Sequence, residues 1–192
     1  MPKPNPEAME FLLTRRSRPA KTLTTPVPTR EELLPILQAA ARTPDHGKLE
    51  PWRFIVLERE ALIRLEALAS ARASALGIGE DKAEKVLRQF GDGHLAVAVV
   101  LSPVVSEKVP EIEQIFSAGA ACLGLLNGAL ASGWGANWLT GWACHDRDFV
   151  RDGLGLSDRE TVVGLVHIGT ERIVPPERPR PDLAAKIKWV SS

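Results

Sequence analysis

Residues 94–102 read HLAVAVVLS. The run is valine-rich and near-continuously apolar, without the polar alternation of a half-exposed strand, and it predicts a central strand covered on both faces. TVVGLVHIG at 161–169 repeats the pattern and predicts a second buried strand. Two shorter strands are expected at 52–58 (WRFIVLE) and 137–140. Around them the apolar spacing is helical. Asn5 before Pro6 is an N-cap signal for a first helix with Met9, Leu12 and Leu13 on its apolar face. Thr29 and Glu32 form a capping box ahead of a helix over 29–42. Pro35 conflicts with that helix, because an interior proline costs about 3 kcal/mol; either the helix kinks or it starts late. Further helices are predicted at 60–76, ended by Gly77, at 81–90, at 110–132, and for a turn or two at 146–152. Ser157 and Glu160 match a capping box too, but a β run follows them, so no helix is expected there. Helices outnumber strands and no regular β-α-β alternation appears. The class is α+β, a small mixed β-sheet flanked by helices.

At 192 residues and 44% hydrophobic content, the chain suits one domain, residues 1–192, with a full core. Lys plus Arg equals Asp plus Glu at 24 each. That balance removes the electrostatic case for a nucleic-acid or membrane-surface partner and leaves anion binding to local clusters. Cys122 and Cys144 sit in apolar or small-residue surroundings, far from any metal-ligand spacing, and are expected to be buried thiols. The N-terminal stretch has its charges after a very short apolar run and no small-residue cleavage site, so the protein is expected in the cytoplasm. Residues 117–144 carry no charge, but their glycine, alanine, serine and asparagine content favours a buried helix, a loop and a short strand over a membrane span. The end of the chain, PPERPRPDLAAKIKWV from Pro175, is proline-rich and basic, and residues 175–192 are read as an arm that wraps a neighbouring subunit.

Chemistry concentrates in a few places. Arg15, Arg16 and Arg18 with Lys21 make the densest basic cluster, and Ser17 adds a hydroxyl. Guanidinium forks pair bidentately with phosphate, while the plainer reading is a solvated helix end. Residues 42–54, RTPDHGKLEPWRF, join a helix to a strand with prolines, a glycine, a histidine and a tryptophan, which a mere linker does not need; Arg42 and His46 are its ligand-type donors. GIGEDK (77–82) and GWGANW (133–138) lack the strand-turn-helix setting of a dinucleotide fingerprint. HDRD (145–148) is a weak metal candidate, since consecutive residues rarely converge on one ion, and Asp146 reads as a helix cap. No hydrolase motif is present. With no protein-borne catalytic group in evidence, a bound cofactor does the chemistry or the chain is a binding module.

Taken together and in order, RRSRP, ARTPDHGKLEPWRFIVL, SAGAACLGLL, GWGANWLTG and VVGLVHIGT resemble the FMN-dependent nitroreductase family, and in particular its small single-domain NAD(P)H nitroreductases. The likeness spans nearly the whole chain. It implies a nitroreductase-like, intertwined homodimer with FMN at the subunit interface. By position, Arg15, Arg16 and Ser17 would hold the flavin phosphate and polar atoms. Arg42 and His46 would join them from the loop, and Trp138, Leu139 and Thr140 would line the same flavin. Gly128, Ala129, Leu130, Ala131, Ser132 and Gly133 match a stretch that meets the nicotinamide cofactor, NADH or NADPH. The sequence departs from the pattern in carrying Asp45 where Ser is common, Glu50 where Gln is common, and Leu139 where the nearest subgroup has Arg. Two acids near an anionic reduced flavin would disfavour it unless they point away or pair with Lys48 or Arg53.

The implied function is an FMN-dependent oxidoreductase that passes two electrons from NAD(P)H to a nitroaromatic or quinone by ping-pong turnover, with no catalytic side chain and no metal. Two alternatives stand beside it: a flavin- or nucleotide-binding sensor or carrier without turnover, and a related reductive step on a halogenated or unsaturated small molecule.

Overall fold

In the computed structural model, which describes residues 3–191, the valine-rich run forms β3 (Ala96–Leu101), buried at every position. It pairs with β2 (Trp52–Leu57) on one edge and with β5 (Thr161–Glu171) on the other. β5 is the longest strand and organises the rest. Its residues 165–167 pair with β3 and also with β4 (Gly135–Leu139), so β3 and β4 lie on its opposite edges. Its end pairs with the short β1 (Leu23–Thr24).

All of these pairings are antiparallel, which corrects the expectation of a mixed sheet. β3 and β4 run in the same direction, as strands joined through a long helix should, but β5 lies between them. No two neighbours are therefore parallel.

Alternation along β3 separates two cores. Ala96, Ala98 and Val100 face α3 (Arg59–Leu76), α4 (Glu80–Gly91) and α6 (Arg147–Leu154), meeting Leu62, Val86 and Phe149 among others. Val97 and Val99 face α2 (Arg30–Ala40) and α5 (Glu111–Ala131), meeting Ile36 and Leu125. Both faces of the strand are thus covered by helix, which is why its sequence needs no polar positions.

The capping signals act as expected. Asn5 accepts from the Ala8 N–H at 3.1 Å at the start of α1 (Pro6–Thr14), and the Thr29–Glu32 box is reciprocal. Pro35 does not delay α2, which runs through it from Arg30. The proline is exposed, so the carbonyl it leaves without a partner faces water, where the loss is smallest. Ser157 and Glu160 bond each other in a tight turn, the Ser157 N–H donating to the Glu160 carboxylate at 2.9 Å, and no helix follows.

α5 differs from the fully buried helix expected. Ala118, Ala121, Cys122 and Leu125 lie in the core, while Ile112, Ile115, Phe116 and Leu123 are exposed on the outer face. Its small residues do admit a second helix: a Cβ on Gly124 would lie 3.2 Å from the Ala40 Cα of α2. Residues 175–191 form no helix or strand and are exposed almost throughout.

Candidate functional site

The segment from Arg15 to Lys21 leaves the end of α1 and is pinned across the sheet. The Arg18 N–H donates to the Ala136 carbonyl at 2.8 Å, and its guanidinium pairs with Glu171 at 2.9 Å. One end of this segment lines a cation-rich cavity and the other lines an apolar one.

The first cavity, about 490 Å³, is walled by Arg15, Arg16 and Ser17 together with Arg178 and Arg180 of the C-terminal segment. Arg15 donates to the Ser17 hydroxyl at 3.0 Å, and Arg16 donates to the Pro176 carbonyl at 3.1 Å, tying the segment to the tail. Burial, and then the charges of Arg180 and Arg16, press the Arg15 guanidinium below its ordinary value. Its Nε is buried without a partner. Glu177 pairs with Arg180 at 2.9 Å, and the guanidinium groups it leaves unpaired repel one another unless a further anion sits between them.

The second cavity, about 600 Å³, lies on the α4 face of the sheet. Pro19, Ala20 and Lys21 form one wall, α4 supplies Lys82, Lys85, Val86 and Gln89, and the exit of β4 supplies Leu139, Thr140, Gly141 and Trp142. Gly141 has extended backbone, but a Cβ there would stand 2.8 Å from the Val86 side chain, so glycine keeps this wall open. Asn137 and His167, opposite each other on β4 and β5, also line it. Burial pushes the His167 imidazole down to about 4, so it is neutral at neutral pH and keeps one donor and one acceptor nitrogen. Gln89 Nε2, Trp142 Nε1 and His167 Nε2 are all buried without a hydrogen-bond partner. Buried polar groups are normally satisfied; these three belong to side chains that line the cavity, with the unpaired atoms themselves closed to solvent.

The residues singled out from sequence divide. Arg15, Arg16 and Ser17 meet in the first cavity, and Leu139 and Thr140 line the second. Trp138 points to the opposite face of the sheet, where its indole lies over Gly164 and packs into the α2–α5 core. Gly128 and Ala129 sit in the last turn of α5, against Ile36 and within the core, with Leu130 packed beside them. Ala131, Ser132 and Gly133 are exposed at the turn into β4. None of these six lines either cavity.

Arg42 is exposed beyond α2, and His46 bonds Glu113 of α5 at 2.7 Å. Their loop is held by its own residues: Gly47, Lys48 and Glu50 take left-handed backbone, and the Asp45 carboxylate accepts from the Glu50 N–H at 2.7 Å. Trp52 donates to Ser117, which donates to the Pro44 carbonyl. Arg53 pairs with Glu160 instead of with the loop acids. Asp146 holds the N-cap position of α6, yet its carboxylate goes to Arg72 at 2.6 Å. Both thiols are buried and raised by burial, Cys122 to about 12, which makes them poor nucleophiles.

Sequence reading missed Gln89, His167, Arg178 and Arg180. His167 gave a signal, as the one polar side chain in a buried β run. Arg178 and Arg180 lay in a tail already marked as basic.

The nitroreductase family model matches residues 12–170, a stretch that contains both walls of the second cavity and the arginines at the end of α1. The chain belongs to the nitroreductase family. A "Putative NAD(P)H nitroreductase" of Haemophilus influenzae is 39% identical over 167 residues, 85% of this chain and 88% of that protein. Among solved structures, a nitroreductase-like family protein from Bacillus cereus superposes with a TM-score of 0.79 at 19% identity, covering 100% of both chains. A "putative nitroreductase in complex with FMN" from Desulfovibrio desulfuricans gives 0.72 at 20% identity over 96% of each chain. As a nitroreductase-family member the chain is an oxidoreductase, and its α+β fold is that of the family.

Proposed function

We propose that this nitroreductase-family chain uses FMN to carry two electrons from NAD(P)H to an electron-poor acceptor such as a nitroaromatic or a quinone, in ping-pong fashion. One observation carries the reading: a guanidinium-lined cavity and a cavity lined by α4 and the β4–β5 pair share a single segment, residues 15–21. A ligand with a phosphate at one end and a flat, hydrogen-bonding ring at the other fits that pair. Arg15, Arg16, Ser17 and Arg180 would hold the phosphate, and Leu139, Thr140 and Gly141 would wall the ring.

When bound, FMN supplies the two-electron carrier between donor and acceptor. Balanced over the turnover, NAD(P)H gives a hydride and solvent gives one proton. A nitro group takes both, one N–O bond breaks, the oxygen leaves as water, and a nitroso group remains. The protein contributes binding and field. The positive wall would stabilise negative charge on the bound group, and the neutral His167 and the Gln89 amide would flank its ring without adding charge.

The apolar faces of α1 and α5 support a homodimer, since Met9, Leu12, Leu13, Phe116 and Leu123 are exposed together with Trp189 of the tail. In that dimer, the arm 175–192 wraps the second copy, and Arg42, His46 and the Trp138 backbone complete the flavin surround, the loop residues from across the interface. NADH or NADPH is the donor, with the exposed Ala131, Ser132 and Gly133 the accessible part of the 128–133 stretch. The location is the cytoplasm.

An anaerobic absorbance titration tests the reading. Purified protein carries flavin bands that bleach on addition of NADH or NADPH and return on addition of a nitroaromatic. A protein that neither carries nor takes up FMN, or whose bound flavin no nicotinamide bleaches, refutes it.

A further inference from the structure

The solvent end of the ring cavity is marked by lysines. Lys82 and Lys85 stand about one turn apart on α4, Lys21 faces them from the segment after α1, and all three are exposed. Arg88, on the same rim, is already paired with Glu84 at 2.8 Å. Among the described residues none of the three lysines forms an ion pair, and Asp92 is the one carboxylate lining the cavity. Beneath the rim the walls are mainly apolar, with Ala20, Val86, Leu139 and Trp142, and Gln89, Asn137 and His167 lie deeper among them.

The two cavities use different cations. The arginine cavity offers fixed forks suited to phosphate, whereas a lysine ammonium is a mobile point charge that selects for charge more than for shape. A cofactor phosphate held by Arg15, Arg16 and Arg180 leaves the α4 lysines without an anion. An apolar slot under unpaired ammonium groups suits a flat apolar body with an anionic substituent at its outer end.

We propose that the acceptor reduced at this site is an aromatic or quinonoid carboxylate, its ring stacked on the cofactor's ring within the same cavity of about 600 Å³ and its carboxylate against Lys82 and Lys85 at the rim. This rests on the oxidoreductase reading above. In the reaction the nitro or quinone group takes the hydride equivalent and the proton, and the carboxylate is unchanged.

A matched pair of acceptors tests it: para-nitrobenzoate and its neutral methyl ester. The ester is the more electron-poor, so intrinsic reactivity favours it, and any preference for the carboxylate comes from the protein. The ratio of kcat/KM values, taken within one preparation, cancels cofactor loading and folding. At low salt the wild-type ratio of carboxylate to ester should exceed one and stand about tenfold above that of the double lysine variant, the effect expected of two exposed ion pairs. Lys82→Ala/Lys85→Ala should bring the ratio to one or below. A wild-type ratio at or below one, or a ratio unmoved by the substitutions, overturns the proposal. Benzoate, which is not reduced, gives a readout independent of turnover. Saturable, salt-sensitive binding by calorimetry, lost in the double variant, supports the anion site even if no acceptor is reduced, in which case the proposed reaction falls and with it the assignment of the bound carboxylate as its acceptor. Absence of benzoate binding overturns the site itself.

Discussion

The two cavities flanking residues 15–21 are built from opposite materials. The ring cavity has walls of regular structure, α4 and the β4–β5 pair, and Val86 and His167 on its lining are among the buried residues. The arginine cavity is closed by residues 178–181, which belong to no helix or strand and are exposed. The first is shaped by the core and exists because the domain folds. The second depends on four arginines being held together by a loop end and a tail, with Glu177 pairing with Arg180 at 2.9 Å and offsetting part of their charge. A shape site formed by folding and a charge site completed by its ligand predict different responses to mutation.

Truncation after Pro175 should have the largest effect. It removes Arg178 and Arg180 and the arm, so flavin retention should fall to background and the dimer should shift toward monomer. The thermal midpoint should fall only by what flavin binding and dimerisation contribute, because the arm itself packs against little of the domain. Flavin content by absorbance and mass by light scattering check this; a truncated protein that stays a flavin-loaded dimer removes the tail from both roles. Gly141→Val attacks the other cavity. Its side chain would meet Val86, and overpacking of this kind costs about 1–3 kcal/mol, so both the thermal midpoint and ring binding should drop. An unchanged midpoint would show that α4 yields and that the wall is not fixed by the core.

His167→Gln sharpens the contrast through pH. Native His167 stays neutral down to about 4, while an unfolded histidine takes its proton near the ordinary value of about 6.5. Within that window the unfolded state binds more protons, so stability falls as pH falls and is fully present above it. The variant should flatten this part of the urea-midpoint profile; an equally steep profile would place the titration elsewhere. Glu160→Gln serves as a test away from both cavities. Arg53 and then Ser102 hold the Glu160 carboxyl down to about 2, so its contribution is present above the ordinary carboxylate range and is lost as pH falls toward 2. At neutral pH the variant should lose about 1–3 kcal/mol of stability while retaining its flavin. Flavin loss would connect this pair to the site.

Much of the fold was legible because local rules and tertiary structure agree. The unbroken apolar run of β3 is buried on both faces, and the Thr29–Glu32 box caps a helix that continues past Pro35. The sheet's antiparallel order was not legible: a helix between two strands fixes their direction but not which strand slips in between, and here β5 does. The arginines at the end of α1 could be read from their density. The ring cavity could not, because α4 meets β4 and β5 across long stretches of chain, and periodicity carries no record of that meeting. The loop at 42–54 shows the converse. Its conspicuous residues are largely engaged in holding the loop itself, with Asp45 bonded to the Glu50 backbone and Trp52 tied through Ser117 to Pro44.

The central claim is that one ligand spans both cavities, its phosphate among the arginines and its ring beneath α4. Equilibrium binding of FMN and of riboflavin, which lacks the phosphate, tests it most directly, in the wild type and in Arg15→Ala/Arg16→Ala. Each charge-assisted hydrogen bond contributes about 1.5–3 kcal/mol. FMN should therefore bind at least about a hundredfold more tightly than riboflavin, and the double variant should bring the two close together while leaving riboflavin affinity near its original value. Equal affinity of the wild-type protein for FMN and riboflavin would contradict the account.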